Sequence, residues 1–276
     1  MTDQILTLLS YPFLSRALLC GTLVSVCAAL LGVSLVLKRY SMIGDGLSHA
    51  GFGALALASV LGLSPLSVAI PLVVVAAIFL LRLGETGKIK GDAATAFIST
   101  GSLATGVLLI SLSKSANTDL LNYMFGSILA METYDVYISV ILCVLVSILY
   151  IFFYHKIFAI TFDETFAKAT GTNTAAYGTI LAVLTAVTIV LGMRMMGALL
   201  ISALVIFPAL SAMRLCRSFA GTVRCAAVLS VVCFIIGLAL SYLLSAPTGA
   251  TVVVVHILAY VLCSLLGAAR NRISRG

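Results

Sequence analysis

The chain runs to 276 residues, of which 62% are hydrophobic and only 9% are charged. A soluble domain carries about 25% charged residues, so this composition excludes a soluble protein, and the apolar runs lack the alternation of a membrane-spanning barrel. The formal charge of +7 comes without a basic patch interleaved with aromatic side chains, which excludes nucleic acid as a partner and assigns the excess Lys and Arg to the cytoplasmic loops of a membrane protein.

Apolar runs of roughly 18 residues or more span a bilayer as helix. Nine segments are predicted, over 17–37, 46–62, 65–82, 93–113, 135–154, 174–192, 195–213, 223–244 and 251–269. The first is longer than a signal-peptide core and no clear cleavage site follows it, so it is retained. The second is short and rich in glycine and alanine, and eight crossings with one broken or re-entrant segment also fit. Within it, Gly51-Phe52-Gly53-Ala54 suits close helix approach. With the N-terminus outside and all nine segments crossing, the inner side holds 13 of the 16 Lys and Arg, and the outer side only Arg16, Lys114 and Arg194. This orientation is the favoured one.

The start of the second segment reads Ser41-Met42-Ile43-Gly44-Asp45-Gly46-Leu47-Ser48-His49-Ala50. Asp45 and His49 are four residues apart and leave the same helix face. Ionisable groups among membrane segments are costly and mark a route for an ion or substrate, and a carboxylate with an imidazole suits zinc, manganese or ferrous iron. The bland reading is that Asp45 caps a helix beginning at Gly46 and that His49 bonds a backbone carbonyl; the metal role is preferred. One chain supplies too few ligands for a closed zinc site, whereas a symmetric homodimer brings together two Asp45 and two His49. The other acids, Asp3, Glu85, Asp92, Asp119, Glu132, Asp135, Asp163 and Glu164, fall in loops or at helix edges.

On the inner side lies Thr161-Phe162-Asp163-Glu164-Thr165-Phe166-Ala167-Lys168-Ala169-Thr170-Gly171. It predicts a short surface helix. Thr161 serves as its cap, Asp163 and Glu164 sit at its positive end, Gly171 terminates it, and Phe162, Phe166 and Ala169 form an apolar stripe. Such a helix either lies against the bundle or docks into a cytoplasmic partner. Near the outer side, Met193, Met195 and Met196 suit packing or a gate lining better than a copper site. His256 reads as a hydrogen-bonded packing residue and His155 as interfacial. Pro208 predicts a kink, and Pro247-Thr248-Gly249 an outer turn. The seven cysteines form no CxxC pair and predict no disulfide framework. The loops are too short for a separate domain, and no GxxxxGK[ST] phosphate loop occurs, so ATP hydrolysis would belong to another polypeptide.

The chain resembles the permease subunits of bacterial ABC importers for zinc, manganese or iron. The segments that carry the likeness are Ser41–Ala50, Phe162–Gly171, Met196–Ala212 and Pro247–Gly249 with the helix after it, in that order and spacing. The resemblance implies an all-α, polytopic bundle with eight or nine membrane helices and a vitamin B12-importer-like permease fold. A single transmembrane domain would fill 1–276, with a cytoplasmic coupling helix over 161–172. It also implies a homodimer in the bacterial plasma membrane, cytoplasmic ATPase subunits and an extracytoplasmic metal-binding protein. The metal would be transported rather than held as a resident cofactor. Asp45 and His49 inherit the metal path, and Phe162, Asp163, Glu164 and Ala167 inherit the ATPase contact. Gly46 and Gly51-Phe52-Gly53 look closer to the zinc branch, with manganese second. Two rival readings are a metal transporter driven by an ion gradient without an ATPase, and an intramembrane enzyme. The enzyme is disfavoured because HExxH is absent and adjacent Ser48 and His49 diverge by about 100° on a helix.

Overall fold

The computed structural model describes residues 12–86, 91–112 and 133–273; Asp3, Lys88, Lys90, Lys114, Asp119, Glu132 and Arg275 lie outside them. The described chain forms eleven helices. They are α1 (Pro12–Leu37), α2 (Ile43–Leu61), α3 (Pro65–Thr86), α4 (Gly91–Leu112), α5 (Thr133–Phe152), α6 (Tyr154–Phe162), α7 (Glu164–Ala169), α8 (Thr174–Met196), α9 (Ala198–Leu215), α10 (Phe219–Leu244) and α11 (Thr248–Ile273). Each of the nine predicted segments corresponds to a helix. The difference lies on the inner side, where the single helix expected over 161–172 is the end of α6 and the separate α7.

Seven of these helices are long and apolar enough to cross a membrane, or eight if α5 and α6, bent by 67° at Phe153, are one span. α2 falls short because Asp45, His49 and four glycines dilute its hydropathy. It is nevertheless enclosed, with α3, α4, α8 and α9 packed around it. A helix sheltered from lipid need not be oily all round. The central helices are α1 and α8, each 67% buried over its apolar window, against 22% for the peripheral α4 and α11. The outer helices present Phe79, Phe97, Leu108, Ile148 and Leu265 to their surroundings, as lipid-facing surfaces do.

Short connections set the pairing of neighbours. Gly62, Leu63 and Ser64 join α2 to α3, and Gly197 alone joins α8 to α9, which leaves room only for antiparallel partners. α1 ends in a left-handed turn at Arg39, φ 62°, where the Tyr40 N–H donates to Leu35 O (2.8 Å) and the Arg39 N–H to Val36 O (3.1 Å). This pairing satisfies the last carbonyls of α1 and turns the chain directly into α2. α10 ends in the same way at Ser245 (φ 49°), and the Ser241 hydroxyl donates to Ala246 O at 2.7 Å, shaping the turn before α11. Pro208 lies inside α9, which continues through it. All seven cysteines are free, five of them buried, and behave as small apolar side chains.

The expected close approach at Gly53 is present. A Cβ on Gly53 would stand 2.7 Å from the backbone carbonyl oxygen of Ser102 in α4, whereas a Cβ on Gly101 would meet nothing within 4 Å. A backbone oxygen cannot swing aside as a side chain can. Gly53→Ala should therefore lower the thermal midpoint of the purified protein, the overpacking costing about 1–3 kcal/mol. Gly101→Ala should leave it unchanged or raise it through helix propensity, by up to about 1 kcal/mol. Equal shifts in the two variants would contradict the backbone contact.

Candidate functional site

α2 starts at Ile43, so Asp45 lies within its first turn and does not cap a helix beginning at Gly46; Met42 occupies the cap position without a side-chain bond. A carboxylate there is still favoured by the positive end of the helix. Between Ile43 and Ala58, every position is buried except Asp45, His49, Gly53 and Leu57. These four recur at helical spacing and form one stripe along an otherwise enclosed helix. The stripe begins with a carboxylate and an imidazole, with a glycine and then a leucine beyond them.

The Asp45 Oδ1 and His49 Nε2 atoms lie 3.7 Å apart, with the side chains 46% and 21% exposed respectively. That is too long for a hydrogen bond. Two ligands held at about 2.1 Å from one zinc ion in tetrahedral geometry stand roughly 3.4 Å from each other. The pair is thus already near the spacing of one edge of a coordination shell. Among the described residues no group of three or more His, Cys, Asp or Glu assembles, and Asp45 with His49 is the pair at this place.

Behind the pair, the helix is tied inward. The Ser48 hydroxyl is fully buried and donates to Asp45 O at 2.7 Å, with Ser202 Oγ of α9 at 3.3 Å. Ser202 in turn donates to Ala198 O at 3.0 Å. Ser48 therefore faces α9 while His49 lies on the half-buried stripe, and the divergence expected for adjacent residues holds.

The inner segment is built differently from its expected form. Thr161 does not cap; its hydroxyl donates back to Ile157 O at 2.6 Å within α6. Asp163 is the cap, in an extended conformation, with its Oδ1 accepting the Phe166 N–H at 2.8 Å. Gly171, at φ 81°, closes α7, and the Thr172 N–H reaches Ala167 O at 2.9 Å. Glu164 forms an ion pair of 3.1 Å with Lys38, the residue just past the end of α1. Phe162 stacks near Phe158 and Phe219, at centroid distances of 4.9 and 5.8 Å, while remaining 59% exposed. Phe166 is 66% exposed and Ala167 only 1%. The outward apolar surface is thus Phe162 with Phe166, and Ala167 packs inward.

Met193, Met195 and Met196 are all buried. The Met193 Cε packs where a Cβ on Gly51 would come within 2.8 Å, which places these thioethers in packing. His256 is buried, with Nδ1 2.9 Å from Val252 O and, among the described residues, no partner for Nε2.

The profile of the ABC 3 transport family matches residues 10–267. The chain belongs to this family. Its relatives include the high-affinity zinc uptake system membrane protein ZnuB of Haemophilus influenzae, 32% identical over 91% of this chain and 97% of the relative. The manganese transport system membrane protein MntC of Listeria innocua is 30% identical over 90% of this chain and 88% of the relative. Among solved structures, PsaBC from Streptococcus pneumoniae in complex with Fab has a TM-score of 0.85 at 29% identity, covering 95% of each chain. A metal-chelate type ABC transporter in an inward-facing conformation has a TM-score of 0.69 at 15% identity and shares the fold. As an ABC 3 family member with several apolar membrane helices, the chain is a multi-pass plasma-membrane permease.

Two contacts of this ABC 3 permease escape sequence reasoning: Ser48 with Ser202, and Lys38 with Glu164. The partners are separated by 154 and 126 residues, and no local spacing announces such pairs. Ser48 carried one weak signal, a hydroxyl in an apolar helix next to ionisable groups.

Proposed function

We propose that the chain is the membrane-spanning subunit of an ATP-driven importer for a divalent transition metal, zinc in the first place and manganese in the second. The observation that carries this reading is the Asp45–His49 pair, spaced for one metal edge and partly exposed near the start of an otherwise enclosed helix. A hydrated divalent ion cannot cross hydrocarbon, and the pair supplies the polar station it needs. Two ligands per chain bind weakly enough for release. A second copy of the chain, facing the first across this stripe, would complete the shell with two oxygens and two nitrogens. α2 then acts as a crossing segment, and the positive-inside distribution of Lys and Arg holds with nine crossings.

The energy enters from outside the chain. Phe162 and Phe166 offer an exposed aromatic surface at the inner end, a form suited to docking in a groove of a cytoplasmic ATPase. The Lys38–Glu164 ion pair joins α7 to the short turn that leads from α1 into α2. Movement of α7 by the ATPase would reach the metal pair by this short path. An extracytoplasmic capture protein would load the metal at the opposite face. The similarity to ZnuB and MntC supports both metals, and Gly46 with Gly51-Phe52-Gly53 supports the preference for zinc.

Vesicles reconstituted with the chain, with and without its ATPase, test this. Radioactive zinc should accumulate only when the ATPase and ATP are both present, and unlabelled manganese should compete less well than zinc. Accumulation by the chain alone under a proton gradient would establish the gradient-driven alternative instead.

A further inference from the structure

The elbow at Phe153 creates a second feature, apart from the Asp45–His49 pair. Between α1, α5, α6 and α10 opens a crevice of about 460 Å³, whose lining includes Leu30, Ile151, Tyr154, His155, Val223 and Arg224. Its chemistry is divided. Val223 is buried and Leu30 and Tyr154 are half-buried, whereas His155 and Arg224 are exposed. The walls are fixed by ring contacts, Tyr154 to Phe219 at 5.5 Å and Phe158 to Phe219 at 5.2 Å.

Depth and charge together narrow the occupant. Arg224 is the sixth residue of α10, so its Cα stands about 7–8 Å along the axis from the inner end of that helix. Leu30 stands about 12 Å along α1 from Lys38. The crevice therefore runs from the inner interface into the apolar layer. Arg224 spends one donor on its own helix, Nε to Ala220 O at 3.3 Å, and among the described residues no carboxylate lies within ion-pair distance of it. A cation with a free face, set above an apolar cleft at this depth, calls for an anion attached to a hydrocarbon chain. A free phosphate would leave the apolar cleft empty.

We propose that this crevice holds one anionic phospholipid of the inner leaflet. Its phosphate sits on the Arg224 guanidinium, with His155 and Tyr154 as further donors, and one acyl chain lies along Leu30, Ile151 and Val223. The lipid would brace the α5–α6 elbow from which α7 is suspended. The site does not depend on which metal the protein carries.

The test uses the full-length protein in nanodiscs made with equal amounts of phosphatidylglycerol and phosphatidylcholine, extracted gently and read by native mass spectrometry. The wild type should retain phosphatidylglycerol in preference to phosphatidylcholine. Arg224→Gln should reduce that preference about fivefold, and Arg224→Lys should keep most of it. Lys156→Gln, which removes an exposed cation on α6 outside the crevice, should leave it unchanged. Equal retention of the two lipids by the wild type overturns the proposal. So does an equal loss in Lys156→Gln and Arg224→Gln, which would mark diffuse surface charge, or displacement of the lipid by excess inorganic phosphate, which would mark a free-anion site. If Arg224→Gln fails to fold, the wild-type preference and the phosphate competition still decide the matter.

Discussion

Alanine at Asp45 or His49 should abolish zinc-dependent growth of metal-starved cells while leaving the protein in the membrane at its normal level. Loss of a group that merely orients a metal ligand costs 10–100-fold in affinity or activity; loss of the ligand itself should lower uptake by at least about 100-fold. The folded state should hardly notice. The two side chains stand 3.7 Å apart and are partly exposed, so the interaction between them contributes at most about 1 kcal/mol. A buried structural pair would behave in the opposite way, with both variants lost from the membrane. Uptake of radioactive zinc, normalised to the amount of membrane protein, separates the two. Full uptake with both residues replaced would refute the metal path assigned to this stripe.

Phe166→Asp should uncouple the permease from its ATPase. Phe166 is 66% exposed on α7, so an aspartate there meets water in the free subunit and does not disturb the bundle. In the assembled importer the same side chain would be buried in a groove, and an aromatic anchor of this kind carries at least about 2 kcal/mol of binding, a factor of about 30. The ATPase should then fail to co-purify, and ATP-dependent uptake should fall in parallel. Glu164→Gln is a second probe of the same region. It breaks the 3.1 Å ion pair with Lys38 but leaves the aromatic surface intact, so the ATPase should stay bound while uptake per ATP hydrolysed falls. Normal co-purification and uptake in Phe166→Asp would remove α7 from the interface.

The two predictions differ in how much of their basis is visible without coordinates. Asp45 and His49 were legible because both belong to one helix, where four residues return a side chain to the same face. The local error was small: the helix starts at Ile43 because the tight turn through Arg39 and Tyr40 leads straight into it. In the α6–α7 region the residue set was legible and its assignment was not. Phe162, Asp163 and Glu164 stand out in the sequence, but the chain breaks at Asp163, whose carboxylate caps α7 in place of Thr161. The expected apolar stripe of Phe162, Phe166 and Ala169 nevertheless stays exposed across the break. Phe162 joins Phe158 and Phe219, Phe166 faces outward, and Ala167 turns inward. The pull of Phe219, from a helix far along the chain, is a tertiary effect that no local pattern records.

The amino-acid order by itself determined that this is a membrane protein of many helices, which way its charge bias points, and that one carboxylate and one imidazole share a helix face. Those properties depend on composition and on the period of a helix, both of which act within a few residues. The packing of distant helices decided the rest. It left Asp45 and His49 partly exposed on an otherwise enclosed helix, tied Lys38 to Glu164, and gathered Leu30, Tyr154, His155 and Arg224 around one crevice. Exposure, ion pairs across the bundle and cavities arise from surfaces meeting in space, and no single helix contains that information.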